Sequence, residues 1–538
     1  MDSACLKVRM RRWRLAAGVG LLLAFTALHA VAPTAAVAIP LPQLFTPASA
    51  SAGAPPHDTA VLRAEAVTIS LGALPARGAA TKDLALRLPG GRIVTASLTG
   101  SGPTVASDGT WTGVIRGIDG SNVTLAAKDG VVSGSFWLDG ELYRLESLAG
   151  GEWLEQLDPH AFPAEGDPLD PGTDAPTAPS DDPPTAGDGA SIIDVLVVYT
   201  ATARAAAGGT AAIQSTIAVG VSQSNQTYAN SLISQRIRLV YTGEVDYTES
   251  GNSTTDLTRF RDPADSFLDS VGPLRDQYGA DLVVLVTESL DECGRAYSMT
   301  RPASSFASSA YSVVKRTCIT GQYSFTHEMG HNMGAGHDRA NSCSGSYTYS
   351  CGYQDTGGRF RTIMAYDCTD TCPRILYFSN PDVRYQTRPT GIADTLPTAA
   401  NNAKTLNNTA AIVAAFRPSV NGVALAFADT PATALPGVPF AIQVAVRNSA
   451  GATVVADQTT VIAISPVVGP AAITCDTGLS RAAVRGIATF SGCRVSANGI
   501  YQLQATADLP LTPGTSAAIV AGGYRTPLPF VAADSGVG

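Results

Sequence analysis

Three of the six histidines in this 538-residue chain fall within one short stretch, THEMGHNMGAGHDR, from Thr326 to Arg339. His327 and His331 are four residues apart, so on a helix they share one face and can grip a single cation together. Gly334 follows three residues after His331, where a positive φ can stop a helix. A turn through Gly334, Ala335 and Gly336 would then return His337 to the same ion. Three neutral imidazoles suit Zn2+ and leave a fourth coordination position for water. Glu328, beside the first histidine, is not needed as a ligand and is therefore available as a base. The expected chemistry is hydrolytic. Zinc acidifies its water towards a pKa of ~7 and polarises a carbonyl. Glu328 would accept the water proton and deliver it to a leaving nitrogen. At this chain's own His and Gly frequencies, the pattern HExxHxxGxxH arises by chance on the order of once in a hundred thousand.

These side chains need a scaffold, and the surrounding sequence describes one. IIDVLVVYT, from Ile192, reads as a buried strand and residues 206–234 as a helix. RIRLVYTGEV reads as a strand, residues 256–279 as a helix bent or broken at Pro263 and Pro273, and ADLVVLVT as another buried strand. YSVVKRTC reads as an edge strand, and NNAKTLNNTAAIVAAFR closes the unit as an amphipathic helix ending at Arg417. Alternating helices and strands predict an α/β arrangement.

The flanks differ. Residues 60–155 carry alternating, turn-punctuated segments with a hairpin signal at Asp139-Gly140, and predict a small β-rich module. Phe162 to Ala190 is dominated by Pro, Asp, Gly and small residues and predicts an extended, unpacked linker. Such a linker is a natural place for proteolytic maturation, but no Lys or Arg lies between Arg144 and Arg204, so a trypsin-like activator has no site there. Beyond Arg417, short alternating strands at sandwich spacing predict a β-sandwich of about 110 residues. The expected plan is a signal peptide over 1–38, a β-rich pro-region over 39–160, a linker over 161–190, a catalytic domain over 191–418 and a β-sandwich over 419–538.

Composition bounds the function. The length predicts two to four domains, and the 52 glycines and 34 prolines favour β-rich structure. A formal net charge of −9, with no basic block outside the extreme N-terminus, argues against nucleic-acid binding. Lys7, Arg9, Arg11, Arg12 and Arg14 precede the apolar run LAAGVGLLLAFTAL, and small residues end at Ala30 and Ala38. That layout is a secretory signal, and the run is short of the ~20 residues of a spanning helix. The expectation is a secreted or extracellular protein, with periplasm or cell surface as alternatives and no membrane span after signal removal. Eight cysteines follow Cys5, enough for up to four disulfides. Cys475 and Cys493 stand apart and are expected to pair, while the other six could pair in 15 ways. The sequence sets no oligomeric state.

HEMGHNMGAGHD is the zinc motif of the metzincins, which also carry a methionine-containing turn downstream, and RTIMAYDC supplies Met364 in the matching position. The resemblance implies that Met364 floors the histidines and that Tyr366 is a further ligand or an oxyanion donor. It also implies that Asp338 is a buried structural carboxylate, as in the reprolysin-like branch. Together with IIDVLVVYT, YFSNP and AAIVAAFR, these motifs make residues 190–417 similar to bacterial reprolysin-like enzymes, nearest the peptidyl-Asp metalloendopeptidase group. The piece GIATFSGCRVSANGIYQLQATA resembles bacterial immunoglobulin-like modules. The resemblance implies a secreted zinc endopeptidase of polypeptide substrates that cuts on the amino side of Asp, with Arg361 and Arg374 as candidates for a basic pocket. Such an enzyme could mature itself in the linker, which holds Asp167, Asp170, Asp174, Asp181, Asp182 and Asp188. No cysteine lies between Ala38 and Ala190, so a thiol cannot cap the zinc; latency would need a carboxylate or steric cover. The alternatives are an exported binding or adhesion protein on an inactive scaffold, against which Glu328 is intact, and hydrolysis of a non-peptide amide.

Overall fold

The residues of IIDVLVVYT are apolar at nearly every position rather than at alternate ones, the pattern of a strand covered on both faces. In the computed structural model, Ile192–Thr200 lies between the parallel strands Arg236–Val245 and Leu282–Thr287. Tyr311–Lys315 continues the sheet in parallel, and the antiparallel strand Gly294–Ala296 ends it. YSVVK is therefore interior, not the expected edge strand. The edge is a three-residue strand containing a glycine, too short to show any hydrophobic period. The structure describes residues 40–48, 58–76, 79–101, 108–148, 151–172, 192–368, 372–458, 460–509 and 511–522. The expected signal at 1–38 and the linker from 173 to 191 lie outside the described residues.

Helices break where local chemistry requires it. The helix expected over 206–234 runs over Thr210–Asn230, and an unexpected short helix, Ala201–Ala206, is kept apart from it by Gly208 and Gly209, which both take positive φ, 89° and 131°. A Cβ at Gly208 would stand 2.6 Å from the Ser147 carbonyl oxygen, so the N-terminal sheet approaches too closely for a side chain there. The next expected helix is two, Ser253–Arg261 and Val271–Tyr278. Pro263 falls in the break, whereas Pro273 sits in the first turn of the second helix, where an amide N–H has no intrahelical partner to lose.

Residues 45–157 form a nine-stranded sheet whose outermost strands are Phe45–Pro47 and Lys82–Arg87. Asp139 and Gly140, at φ 53° and 82°, turn the hairpin between Val131–Leu138 and Glu141–Leu148 as expected. This sheet packs on the helix Thr210–Asn230, with Ser133 Oγ 2.6 Å from Ser215 Oγ. Buried Arg316 donates to Glu146 at 2.8 Å across the same boundary. Residues 424–521 form two further sheets around an apolar core that includes Ile442, Phe490, Tyr501 and Leu503. Leu41–Gly538 belongs to one compact unit, and the chain is mostly strand with few helices among the described residues. No described helix is long and apolar enough to cross a membrane. Four disulfides are present: Cys293–Cys318, Cys343–Cys351, Cys368–Cys372 and the expected Cys475–Cys493.

The central sheet is tied to the C-terminal region by one buried carboxylate. Arg238 donates to both oxygens of Asp194 at 2.7 and 3.0 Å, and Ser419 Oγ donates to Oδ2 at 2.7 Å. Arg238 also reaches the Gly422 carbonyl at 2.6 Å. Replacing Arg238 with Ala strands a buried carboxylate, which costs about 3–5 kcal/mol. Urea unfolding of R238A should show that loss; a change below about 1 kcal/mol would mean that Asp194 is satisfied without its arginine.

Candidate metal centre and active site

The helix Ser324–Asn332 is buried at all nine of its residues. Gly334 then takes φ 93°, and a Cβ there would meet Ser346 Oγ at 2.2 Å, so the chain turns where the sequence suggested. Gly336–Asp338 returns as a short strand paired with Cys351–Gly352, bringing His337 back to the helix. His327 Nδ1 lies 2.8 Å from the Ile363 carbonyl and His331 Nδ1 3.1 Å from the Ala335 carbonyl. Those contacts place the ring protons on Nδ1 and leave lone pairs on both Nε2 atoms. The two Nε2 atoms stand 3.2 and 3.0 Å from His337 Nε2. Burial holds all three rings neutral: His327 and His331 fall well below the usual imidazole value and His337 falls to about 4. Buried lone pairs facing each other repel unless a cation lies between them. Ligands about 2.0–2.1 Å from one tetrahedral zinc lie about 3.3 Å apart, so this donor set fits the metal.

Glu328 follows His327 on the same buried helix. Its carboxylate is fully buried, and neither oxygen has a hydrogen-bond partner among the described residues. Burial, then the nearby Glu165, pushes its pKa well above the ordinary value. The edge strand presses on it: a Cβ at Gly294 would lie 2.7 Å from Glu328 Oε1. This buried carboxylate beside three convergent nitrogens keeps acceptor capacity that no described residue satisfies.

Met364 is fully buried under the same helix, where a Cβ on Gly330 would come 2.7 Å from its sulfur. Asp338 accepts the Tyr366 amide at 2.9 Å and the Asn341 side chain at 3.0 Å, holding the loop that carries Tyr366. The Tyr366 ring lies 4.4 Å from that of His337, centroid to centroid. Its hydroxyl donates to the Glu165 carbonyl and to Asp167 Oδ1, both at 3.2 Å.

Those last contacts depart from the sequence reading. The linker is not unpacked at its start. Residues 164–169 run parallel to the edge strand: Gly166 N–H donates to the Gly294 carbonyl and Leu169 N–H to the Ala296 carbonyl, both at 2.9 Å. Cys293 N–H donates in turn to the Ala164 carbonyl at 2.9 Å. Asp167 Oδ1 stands 3.7 Å from His337 Nδ1, and the Glu165 carboxylate is buried against Arg374. The proline-rich composition hid this; the one signal was the pair of acids in EGD, in a stretch otherwise without glutamate. Of the two candidate arginines, Arg374 lies in the cleft and Arg361 pairs with its backbone, both buried.

Fold and site together define a zinc metalloendopeptidase. Residues 189–379 match the family model Reprolysin_5, Metallo-peptidase family M12. The chain is similar to the peptidyl-Asp metalloendopeptidase of Stenotrophomonas maltophilia, 41% identical over 308 residues covering 55% of this chain and 71% of that one. It is 37% identical to the protein of the same name from Xanthomonas campestris, over 70% of this chain and 92% of that one. A third, from Pseudomonas fragi, is 34% identical over its whole length and 36% of this chain. The chain belongs to this bacterial reprolysin-like metalloendopeptidase family.

Because the edge strand touches Glu328, Gly294→Ala should displace the carboxylate and lower turnover on the order of 100-fold. Zinc content, read by atomic emission, should stay at the wild-type value, whereas His331→Ala should lose the metal. A Gly294→Ala protein of normal turnover would show that this contact does not set the position of Glu328.

Proposed function

We propose that His327, His331 and His337 hold the catalytic zinc and that Glu328 is the general base of a secreted endopeptidase cutting on the amino side of aspartate. The observation that carries this reading is the unpartnered Glu328 carboxylate beside three converging Nε2 atoms. When bound, zinc supplies Lewis acidity to a water and to the scissile carbonyl. Glu328, with its raised pKa, takes the water proton and hands it to the leaving amine. Tyr366, once its hydroxyl is released from Glu165 and Asp167, donates to the developing oxyanion. An extended substrate pairs with Gly294–Ala296, the edge strand of the central sheet, in place of residues 164–169.

The Asp-side preference is supported by the printed name of the relatives and by the two buried arginines beside the cleft. Export is supported by four disulfides, which suit an oxidising compartment. We also propose the precursor plan: signal 1–38, pro-region 39–160, linker 161–190, catalytic domain 191–418 and an immunoglobulin-like sandwich over 419–538. Support comes from the nine-stranded sheet within the second part and the paired sheets of the last.

The decisive comparison is wild type against Glu328→Gln on an unfolded protein, with new termini read by mass spectrometry and zinc measured in both. The expected result is zinc in both and a fall in kcat/KM of about 10²–10⁴ for the variant. Comparable cleavage by the variant would remove Glu328 from the chemistry.

A further inference from the structure

The segment that crosses the cleft puts one acidic side chain into a pocket built for it. Glu165 is buried, and its Oε1 accepts from Arg374 Nη1 and from Ser324 Oγ, the latter at 2.8 Å. Arg374 is held from behind by the carbonyls of Gln322 at 2.7 Å and Ala365 at 3.4 Å. Ala365 lies between Met364 and Tyr366, so the guanidinium is fixed to the loop beneath the histidines. A second buried guanidinium, Arg361, stands behind the first and donates to Gln322 Oε1 at 3.1 Å. Its Nε is 3.9 Å from the partly exposed Asp367, too far for a hydrogen bond.

The polar balance of this pocket is incomplete. Glu165 Oε2, Arg374 Nε and Arg361 Nε are all buried without hydrogen-bond partners among the described residues. A fastening between two permanent parts of a protein normally satisfies such atoms. One guanidinium on the carboxylate and a second behind it, with hydrogen-bonding capacity left over on both sides, suit an occupant that changes. The location agrees. Glu165 is next to Gly166, which is hydrogen-bonded to the edge strand, and two residues from Asp167, which faces His337. An extended peptide seated on the same edge strand would bring a side chain to the same place.

We propose that Arg374, backed by Arg361 and completed by Ser324 Oγ, is the subsite that recognises the acidic side chain of the substrate, and that Glu165 occupies it as an internal stand-in. The inference rests on the reading of the chain as a protease with an acidic preference and adds the residues that impose it. A carboxylate fills the pocket as Glu165 does. An isosteric amide would leave Arg374 buried without its counter-charge, so discrimination between Asp and Asn comes from the pocket rather than from shape. While Glu165 is bound, the substrate side chain is excluded; departure of residues 164–169 empties the subsite and uncovers Tyr366 in one event.

The test uses the mature enzyme and two quenched peptides that differ only by Asp or Asn at the scissile position. Wild type should favour the Asp peptide by on the order of 100-fold or more in kcat/KM, and Arg374→Gln should bring that ratio to within about fivefold. Zinc content is read on each protein. In parallel, a synthetic peptide of residues 161–170 should inhibit wild type, and the same peptide with Glu165→Gln should bind on the order of 100-fold more weakly. This second arm needs no altered enzyme and decides the matter if Arg374→Gln fails to fold. A wild type without acidic preference would overturn the Asp-side reading and this inference together. A wild type with that preference, an unchanged ratio in Arg374→Gln and equal inhibition by both peptides would overturn this inference alone.

Discussion

Everything in this molecule depends on three imidazole lone pairs that meet 3.0–3.2 Å apart inside a fully buried site. No arrangement of neutral rings favours that contact by itself, so the surroundings must enforce it until a cation arrives. The enforcement is specific. Carbonyls of Ile363 and Ala335 fix two ring protons on the far side, and Asp338 pins the loop that bears Tyr366. Met364 fills the space that a Cβ on Gly330 would need. Outer partners of this kind orient metal ligands and set their tautomers.

Around that centre the chain sets up a contest for one strip of backbone. The strand Gly294–Ala296 is the last of the central sheet, and such an edge invites pairing. Residues 164–169 accept the invitation and carry two acids with them, one towards the arginines and one towards His337. No cysteine lies between Ala38 and Ala190, and what this segment brings to the histidines is Asp167 and main-chain hydrogen bonds. Gly166 makes the fit possible: a Cβ there would be 2.1 Å from Glu292, whose carboxylate is paired with Arg295.

What the sequence disclosed follows from how local the cause was. The histidine set was legible because offsets of four and six residues are themselves a geometry, one helical turn and one reversal. Ile192–Thr200 and Leu282–Thr287 were legible because burial on both faces leaves an unbroken apolar run. The edge strand was not, since three residues carry no period. The break at Gly208 was hidden because its cause, the approach of Ser147 and Leu148, lies sixty residues away in another sheet. The packed start of the linker was hidden for the opposite reason: its composition is that of an unstructured chain, and partners distant in sequence, among them Arg374, Ser324, Tyr366 and the Gly294–Ala296 edge, order it. Pro263 and Pro273 look alike in sequence and differ only by position within a turn.

The bridge between Cys293 and Cys318 has a mechanical meaning. It closes a loop of 25 residues that begins at the edge strand, passes through Tyr311–Lys315 and ends just before the histidine helix. The edge strand is thereby joined by a covalent bond to the short helix that leads into the histidine helix. Tyr366 and Arg374, on the other side of His337, are held by hydrogen bonds instead: Asp338 accepts the Tyr366 amide and the Gln322 carbonyl accepts from Arg374. On the proposed reading, the part that would align a substrate is therefore fastened by a covalent bond, and the part that would read its side chain by hydrogen bonds.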